Sequence, residues 1–135
     1  MRSRAACHAA RIAPRILIVD DNPSFLAAAS SLLEAEGLHV VALASTGSEA
    51  VELCTTLDPD VALVDVTLAG ESGFEVTRLL ARSAPGTELI LISTHDEHDY
   101  LELIADSPAR GFLAKSELSA GSILSLLGPS GSSGT

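Results

Sequence analysis

Five short apolar segments alternate with segments of helical periodicity, and this alternation limits the fold of the chain more than any other sequence feature. The apolar segments are residues 15–20, 38–43, 60–65, 88–93 and 110–115. Their richness in Ile, Leu and Val is typical of parallel strands that helices cover on both faces. Strands that alternate with helices in this way predict an α/β fold, here (βα)5. Because a closed barrel needs eight such units, we expect an open, doubly wound parallel sheet.

Helix-capping residues and apolar spacing indicate where the helices lie. Asn22 suits an N-cap and Pro23 the first helical position, and Thr46 and Glu49 have the spacing of a capping box. We expect helices over about residues 22–37, 46–57, 72–83, 97–106 and 116–128. The apolar side chains expected to face the core from the first and fourth helices are Phe25, Ala29, Leu32, Leu33, Tyr100, Leu101, Ile104 and Ala105.

The composition sets bounds on the number of domains and on the partners. A chain of 135 residues with 47% apolar and 19% charged residues suits one globular domain. Its formal net charge of −10 disfavours non-specific binding to nucleic acids or anionic membranes. No apolar segment is long enough to cross a membrane, and the first residues lack the apolar core of a signal peptide. We therefore expect a cytoplasmic protein with a domain over 15–127, a flexible extension over 1–14 and a flexible tail over 128–135.

Charged and hydroxyl side chains stand where four of the five predicted strands end. Asp20 and Asp21 end the first strand, and Asp65, Ser93 and Lys115 end the third, fourth and fifth. Because ligands of such sheets bind at the carboxyl ends of the strands, we expect these side chains to surround a site. Three clustered carboxylates would repel one another unless a cation lay among them, and Mg²⁺ prefers oxygen ligands of this kind.

The same edge of the sheet offers groups for phosphoryl chemistry. A lysine such as Lys115 can pair with a phosphate, and the hydroxyl of Ser93 can donate a hydrogen bond to one. Asp65 lies between these donors and the other carboxylates, and an aspartate can accept a phosphoryl group as an acyl phosphate. Taken singly, Asp20 and Ser93 could be helix caps and Lys115 a surface lysine. Their joint placement favours the functional interpretation.

Together these residues resemble the receiver domain of two-component response regulators, over residues 15 to about 127. The resemblance is carried by the order, the spacing and the strand-end placement of Asp20, Asp21, Asp65, Gly73, Ser93, Phe112 and Lys115. It implies a flavodoxin-like sheet with the strand order 2-1-3-4-5. It also implies that Mg²⁺ is held by Asp21, Asp65 and the main-chain carbonyl of Thr67, with Asp20 acting mostly through water.

The resemblance further implies a signalling function. Asp65 would take a phosphoryl group from a histidine kinase or a histidine phosphotransfer protein, and the domain would catalyse only its own phosphorylation and dephosphorylation. Ser93 would then move toward the phosphoryl group and Phe112 would turn inward, which would change the surface of the fourth helix, fifth strand and fifth helix. That surface would bind a downstream protein or a second copy of the chain. The segment 111–119 is most similar to receivers of LuxR-like regulators.

Three alternatives use a similar fold. A haloacid-dehalogenase-like phosphotransferase also uses a strand-end Asp and Mg²⁺, but it needs an acidic residue where Thr67 stands. A nucleotide-binding flavodoxin-like module needs a glycine-rich phosphate loop, which residues 20–24 lack. A degenerate receiver that only binds partners would not need the complete acidic set. The chain departs from the receiver pattern at Ala69, Thr94 and Ser116, where proline, a small residue and proline respectively are common.

Overall fold

The computed structural model describes residues 14–128 of the chain. The predicted extension over 1–14 and tail over 128–135 lie outside this range except for Pro14 and Gly128, so both stay predictions. Within the described range, no helix combines the length and the hydropathy that crossing a bilayer requires.

Five parallel strands form the central sheet, at the positions that the apolar segments predict. They are β1 (Arg15–Val19), β2 (His39–Ala44), β3 (Val61–Asp65), β4 (Glu88–Ser93) and β5 (Gly111–Ala114). Their spatial order is β2-β1-β3-β4-β5, and every neighbouring pair runs parallel. The predicted doubly wound fold and its strand order are therefore confirmed. Because the winding reverses between β1 and β3, the carboxyl ends of these two strands lie side by side.

Helices connect the strands and cover both faces of the sheet. They are α1 (Pro23–Ala35), α2 (Gly47–Leu57), α3 (Gly73–Ser83), α4 (Leu101–Ala105) and α5 (Ala120–Leu127). The structure adds three short elements that the sequence pattern does not predict, since each has too few residues to show a period. They are an antiparallel hairpin that pairs Thr67–Leu68 with Glu71–Ser72, and 3-10 turns over Glu97–Tyr100 and Lys115–Glu117.

The first two helices begin where their capping residues predict. The side-chain oxygen of Asn22 accepts hydrogen bonds from two N–H groups in the first turn of α1. The hydroxyl of Thr46 accepts from the N–H of Glu49 at 3.1 Å. The Glu49 carboxylate in turn accepts from the N–H of Ser45, at 2.7 Å. Both bonds bring the same first turn of α2 together.

The last helix begins later than predicted because a different capping pair decides its start. The N–H of Ser122 donates to the hydroxyl of Ser119, and the N–H of Ser119 donates to the hydroxyl of Ser122, each at 3.0 Å. This reciprocal capping box places the start of α5 at Ala120, whereas the sequence predicts a helix from near Ser116.

Three side chains that were expected to face the core are exposed. Leu101 on α4 and Leu32 on α1 are 51% and 40% exposed, and Ala105 is also exposed. With only five residues, α4 contacts the core through Ile104 and through Tyr100 of the preceding turn. A short helix of this kind buries a narrower face than the helical period over 97–106 predicts.

Alternate residues of each strand face opposite sides of the sheet and build two layers of core. Leu17 and Val19 of β1 pack on the side of α2 and α3, whereas Ile16 and Ile18 pack on the side of α1 and α5. All four side chains are fully buried. Because β1 and its neighbours are packed on both faces, the polar residues that follow them are held in defined positions at the edge of the sheet.

Candidate functional site

Three carboxylates meet at the carboxyl ends of β1 and β3. The two strands are in register, with Val19 opposite Val64, so Asp20 follows one strand beside Asp65, the last residue of the other. Carboxylate oxygens of Asp20, Asp21 and Asp65 lie within 4.8 Å of one another. The structure thus brings together the three acids that the sequence analysis places at one site.

Asp20 is the most buried of the three acids. Its carboxylate is fully inaccessible, and Oδ1 accepts a hydrogen bond from the N–H of Asn22 at 2.9 Å. Oδ2 lies 2.5 Å from Nζ of Lys115, in an ion pair that is largely shielded from water. A carboxylate oxygen has two lone pairs, so one remains for a cation or a cation-bound water.

Asp21 is exposed, and its carboxylate contacts the hairpin that follows β3. Oδ2 accepts from the main-chain N–H of Ala69 at 2.9 Å. A proline, which is common here in receivers, would have no N–H to donate. Because alanine stands here in place of proline, the Asp21 carboxylate gains a hydrogen bond that holds it beside the other two acids.

Asp65 is almost completely buried, at 7% exposure. Burial raises the pKa of its carboxyl above the ordinary value, and the nearby charge of Asp20 raises it further. Two contacts oppose this shift: Nζ of Lys115 lies 3.3 Å from Oδ2, and the N–H of Thr67 donates to Oδ1 at 3.3 Å. These two contacts do not fully offset the effects of burial and of Asp20, so the pKa of Asp65 stays raised. A further cation would stabilise the charged carboxylate.

Lys115 extends over this cluster from the 3-10 turn after β5. Its side chain is 13% exposed, and its ammonium group contacts both Asp20 and Asp65. Nζ also lies 4.2 Å from the centroid of the Phe25 ring on α1. Sequence analysis assigned Phe25 only to the core, because an apolar residue at helical spacing carries no signal for a contact with a lysine far along the chain.

The two residues expected to act as a switch lie on the β4–β5 side of the site. Ser93 is buried at 2% exposure, and its hydroxyl accepts from the N–H of His95 at 3.0 Å. Phe112 on β5 is half-buried, with its ring centroid 6.2 Å from that of Tyr100. Tyr100 also packs 5.9 Å from Phe74, centroid to centroid. Phe112, Tyr100 and Phe74 therefore form a row of rings, which the sequence analysis did not predict, with Tyr100 in the middle.

Gly73 holds α3 against the site. A Cβ atom at this position would lie 1.9 Å from the main-chain oxygen of Asp65. The N–H of Gly73 donates to the carbonyl of Val66 at 2.7 Å, which joins the start of α3 to the loop after β3. Only glycine allows this close approach of the helix to the backbone of Asp65.

Comparison with known proteins identifies the family of the chain. A profile of the response regulator receiver domain matches residues 16–125. The chain belongs to this family. The DNA-binding transcriptional activator EvgA of Escherichia coli (strain K12) is 33% identical to this chain over 101 residues. These residues cover 75% of this chain and 50% of EvgA. The chain thus spans about half the length of the curated relatives it matches.

Two solved structures show the same receiver fold. A two-component response regulator of the LuxR family from Aurantimonas sp. SI85-9A1 has a TM-score of 0.74 and 26% identity, over 84% of this chain and 81% of that one. A response regulator from Burkholderia pseudomallei, solved with a phosphorylated aspartic acid, a calcium ion and citrate, has a TM-score of 0.72 and 25% identity. That match covers 86% of this chain and 67% of the other.

Membership of the receiver family distinguishes among the functions considered above. Receiver domains act in two-component signalling, where response regulators receive phosphoryl groups from histidine kinases, and they are not metabolic enzymes. The family match therefore favours a receiver over a haloacid-dehalogenase-like phosphotransferase or a nucleotide-binding module. An acidic cluster that could hold a metal ion is present at the position expected for a receiver.

Proposed function

We propose that Asp65 is the phosphoacceptor of this receiver and takes its phosphoryl group from the phosphohistidine of a histidine kinase or a histidine phosphotransfer protein. The observation that carries the proposal is the position of the Asp65 carboxylate. It ends a central strand, lies 3.3 Å from Nζ of Lys115, and lies within 4.8 Å of oxygens of Asp20 and Asp21. Asp65 is the last residue of β3 and keeps some exposure beside the lysine, whereas Asp20, the other acid that the lysine contacts, is fully buried.

In this reaction, the phosphoryl group passes from a histidine nitrogen of the partner to a carboxylate oxygen of Asp65. A carboxylate oxygen of Asp65 attacks the phosphorus atom, and the P–N bond of the phosphohistidine breaks with its electron pair remaining on the imidazole. The product is an acyl phosphate on Asp65, which water later hydrolyses to inorganic phosphate and the free carboxylate. Lys115 faces the incoming phosphoryl oxygens and pairs with their negative charge. The chain catalyses these two steps on itself only.

A divalent cation, Mg²⁺, fits the acidic cluster. Oxygens of Asp20, Asp21 and Asp65 lie within 4.8 Å of one another, and the pKa of Asp65 is raised by burial and by Asp20. We assign the direct ligands to Asp21, Asp65 and the main-chain carbonyl of Thr67, and an indirect contact through water to Asp20. When bound, the ion neutralises charge on the transferring phosphoryl group. The Burkholderia relative was solved with a phosphorylated aspartic acid and a calcium ion, which supports a divalent cation and a phosphoaspartate in this fold.

The signal leaves the site through Ser93 and Phe112. The Ser93 hydroxyl moves toward the phosphoryl group as a hydrogen-bond donor, and Phe112 turns into the space that is released. The half-buried position of Phe112 beside Tyr100 supports such a movement, because neither ring is fully enclosed. The surface of α4, β5 and α5 then changes and binds a downstream protein or a second copy of the chain. We place this function in the cytoplasm, in a domain over residues 15–127.

Phosphorylation by acetyl phosphate tests the assignment of Asp65. In the presence of Mg²⁺, the intact protein should gain the mass of one phosphoryl group, and Asp65→Asn protein should gain none. Asp99→Asn is the matched control, because Asp99 is an exposed acid in the turn before α4. Labelling of the Asp65→Asn protein at the rate of the parent would overturn the assignment, and peptide mapping would then locate the modified residue.

A further inference from the structure

The ring of Phe25 lies under the ammonium group of Lys115. Nζ is 4.2 Å from the ring centroid, within the distance at which a cation is attracted to the face of an aromatic ring. The Lys115 side chain is 13% exposed, so little water screens this attraction. Asp20, Asp65 and Phe25 thus surround the ammonium group with two negative charges and one aromatic face.

The position of the ring is determined by the start of α1. Asn22 caps this helix and accepts hydrogen bonds from the N–H groups of Ser24 and Phe25, at 2.9 and 3.3 Å. Phe25 is half-buried, and it packs against the core layer on the α1 and α5 side of the sheet. The backbone of Phe25 is therefore held by the cap, and its ring by contacts with the core.

The three contacts of Lys115 change differently when the site is occupied, if the function proposed above holds. Asp65 becomes an acyl phosphate, and the charge of Asp20 is shared with the bound cation. Both carboxylates then attract the ammonium group less and the cation repels it, while the phosphoryl oxygens become its new charged partner. Phe25 is neither a metal ligand nor an acceptor, so its attraction for the ammonium group persists.

We propose that Phe25 is a positioning residue, which holds the Lys115 ammonium beside the phosphoryl group by a cation–π contact during the reaction. Without this contact, the flexible four-carbon side chain of Lys115 would lose considerable conformational freedom each time it came to lie beside the phosphoryl group. The role requires an aromatic ring at position 25. An aliphatic residue such as leucine would fill most of the same space but would not attract the ammonium group.

The contact can be detected directly by NMR, because Lys115 is the only lysine in the chain. Its ε-methylene protons give one set of signals, and a ring beneath Nζ shifts them upfield. The parent and Phe25→Tyr proteins should both show this shift, whereas the ε-methylene signals of Phe25→Leu protein should lie where those of an ordinary lysine lie. Equal positions in the parent and Phe25→Leu proteins would overturn the contact, whatever the phosphorylation activity.

The functional test is a double-mutant cycle on the rate of phosphorylation by acetyl phosphate. Phe25→Leu should slow labelling by about 5- to 30-fold, the range for a cation–π contact that is mostly shielded from water. Phe25→Tyr keeps the ring and should restore most of the rate. In a Lys115→Met background, Phe25→Leu should slow labelling by less than about twofold, because no ammonium group remains to be positioned.

The outcomes separate this proposal from the assignment of Asp65. If the parent is labelled at Asp65 and Phe25→Leu protein is labelled equally fast, the role of Phe25 is overturned and the phosphoacceptor stands. If Phe25→Leu slows labelling by the same factor in the parent and in Lys115→Met protein, Phe25 acts only through packing. That result also overturns the proposal. If the parent is not labelled at all, the proposed function fails, and the role of Phe25 in the reaction fails with it.

Discussion

Burial changes the charge interactions of Asp65 and Lys115 relative to those of exposed side chains. Asp65 is 7% exposed and beside Asp20, so its charged form is disfavoured by burial and by repulsion. Lys115 loses most of its contact with water but gains two carboxylates and an aromatic ring. The single positive charge of Lys115 does not offset the three carboxylates of the site, and a bound cation would supply the missing positive charge.

Asp21 is the acid whose removal should affect metal binding most selectively. It is exposed, so Asp21→Ala creates no cavity, and its carboxylate is proposed as a direct ligand. We expect the affinity for Mg²⁺ to fall by at least about tenfold, since even indirect partners of metal ligands contribute that much. Titration calorimetry would measure the change, with Asp99→Ala as the surface control. The same affinity in Asp21→Ala protein as in the parent would exclude Asp21 as a ligand.

Lys115 should connect phosphorylation to the conformational change. Lys115→Ala protein should still bind Mg²⁺, because an ammonium group is not a metal ligand. Beryllofluoride, which binds a carboxylate oxygen in place of the phosphoryl group, should shift the NMR signals of Phe112 in the parent and leave them largely unchanged in the variant. A full shift of Phe112 in Lys115→Ala protein would show that the signal reaches β5 by another route.

At the scale of whole elements, the approach of α3 to β3 shapes the site. Gly73→Ala would place a Cβ atom 1.9 Å from the main-chain oxygen of Asp65, so the helix or the strand end must move. We expect the free energy of unfolding to fall by about 1–3 kcal/mol, the usual cost of overpacking, together with weaker Mg²⁺ binding. Urea unfolding and titration calorimetry would measure the two effects.

Gly121 on α5 offers the matched control for this substitution. The nearest atom to a Cβ there is the Ser119 hydroxyl oxygen, at 3.8 Å, which is an ordinary contact. Gly121→Ala should be neutral or stabilising by up to about 1 kcal/mol, because alanine favours a helix more than glycine does. If both variants lost the same stability, steric contact with Asp65 would not be the cause.

At the scale of the whole molecule, we expect the buried charge of Asp65 to lower the stability of the metal-free fold. The pKa of Asp65 is raised in the folded state, so above its ordinary pKa the charged carboxylate favours the unfolded chain. Asp65→Asn protein should therefore unfold at a higher urea concentration than the parent at pH 7 in EDTA. The difference should shrink as the pH falls through the raised pKa, because the parent carboxyl becomes protonated and neutral.

Added Mg²⁺ should reverse this order of stability. The cation binds the folded parent and stabilises it by mass action, whereas Asp65→Asn protein lacks one of the proposed ligands. Urea unfolding at pH 7 with and without Mg²⁺ would measure both effects. A parent that is already more stable than Asp65→Asn protein in EDTA would contradict the explanation by buried charge.

The limits of prediction at this scale are clearest in the last two helices. The helical period over 97–106 and 116–128 predicts that helices exist there, but the structure shortens α4 to Leu101–Ala105 and begins α5 at Ala120. Reciprocal bonds between Ser119 and Ser122 decide the second boundary. Several serines in this segment could cap a helix, so the sequence pattern alone does not select the pair that does.

The sequence by itself determined the order of strands and helices, because the periods of apolar residues and the capping of α1 and α2 are local. It also placed Asp20, Asp21, Asp65, Ser93 and Lys115 at strand ends. Only the tertiary structure decided which of these groups touch. The contacts of Lys115 with Asp20 and with the Phe25 ring join residues far apart along the chain, and the Ala69 contact with Asp21 depends on an unpredicted hairpin. Such contacts follow from how the helices pack on the sheet, which no local pattern of residues specifies.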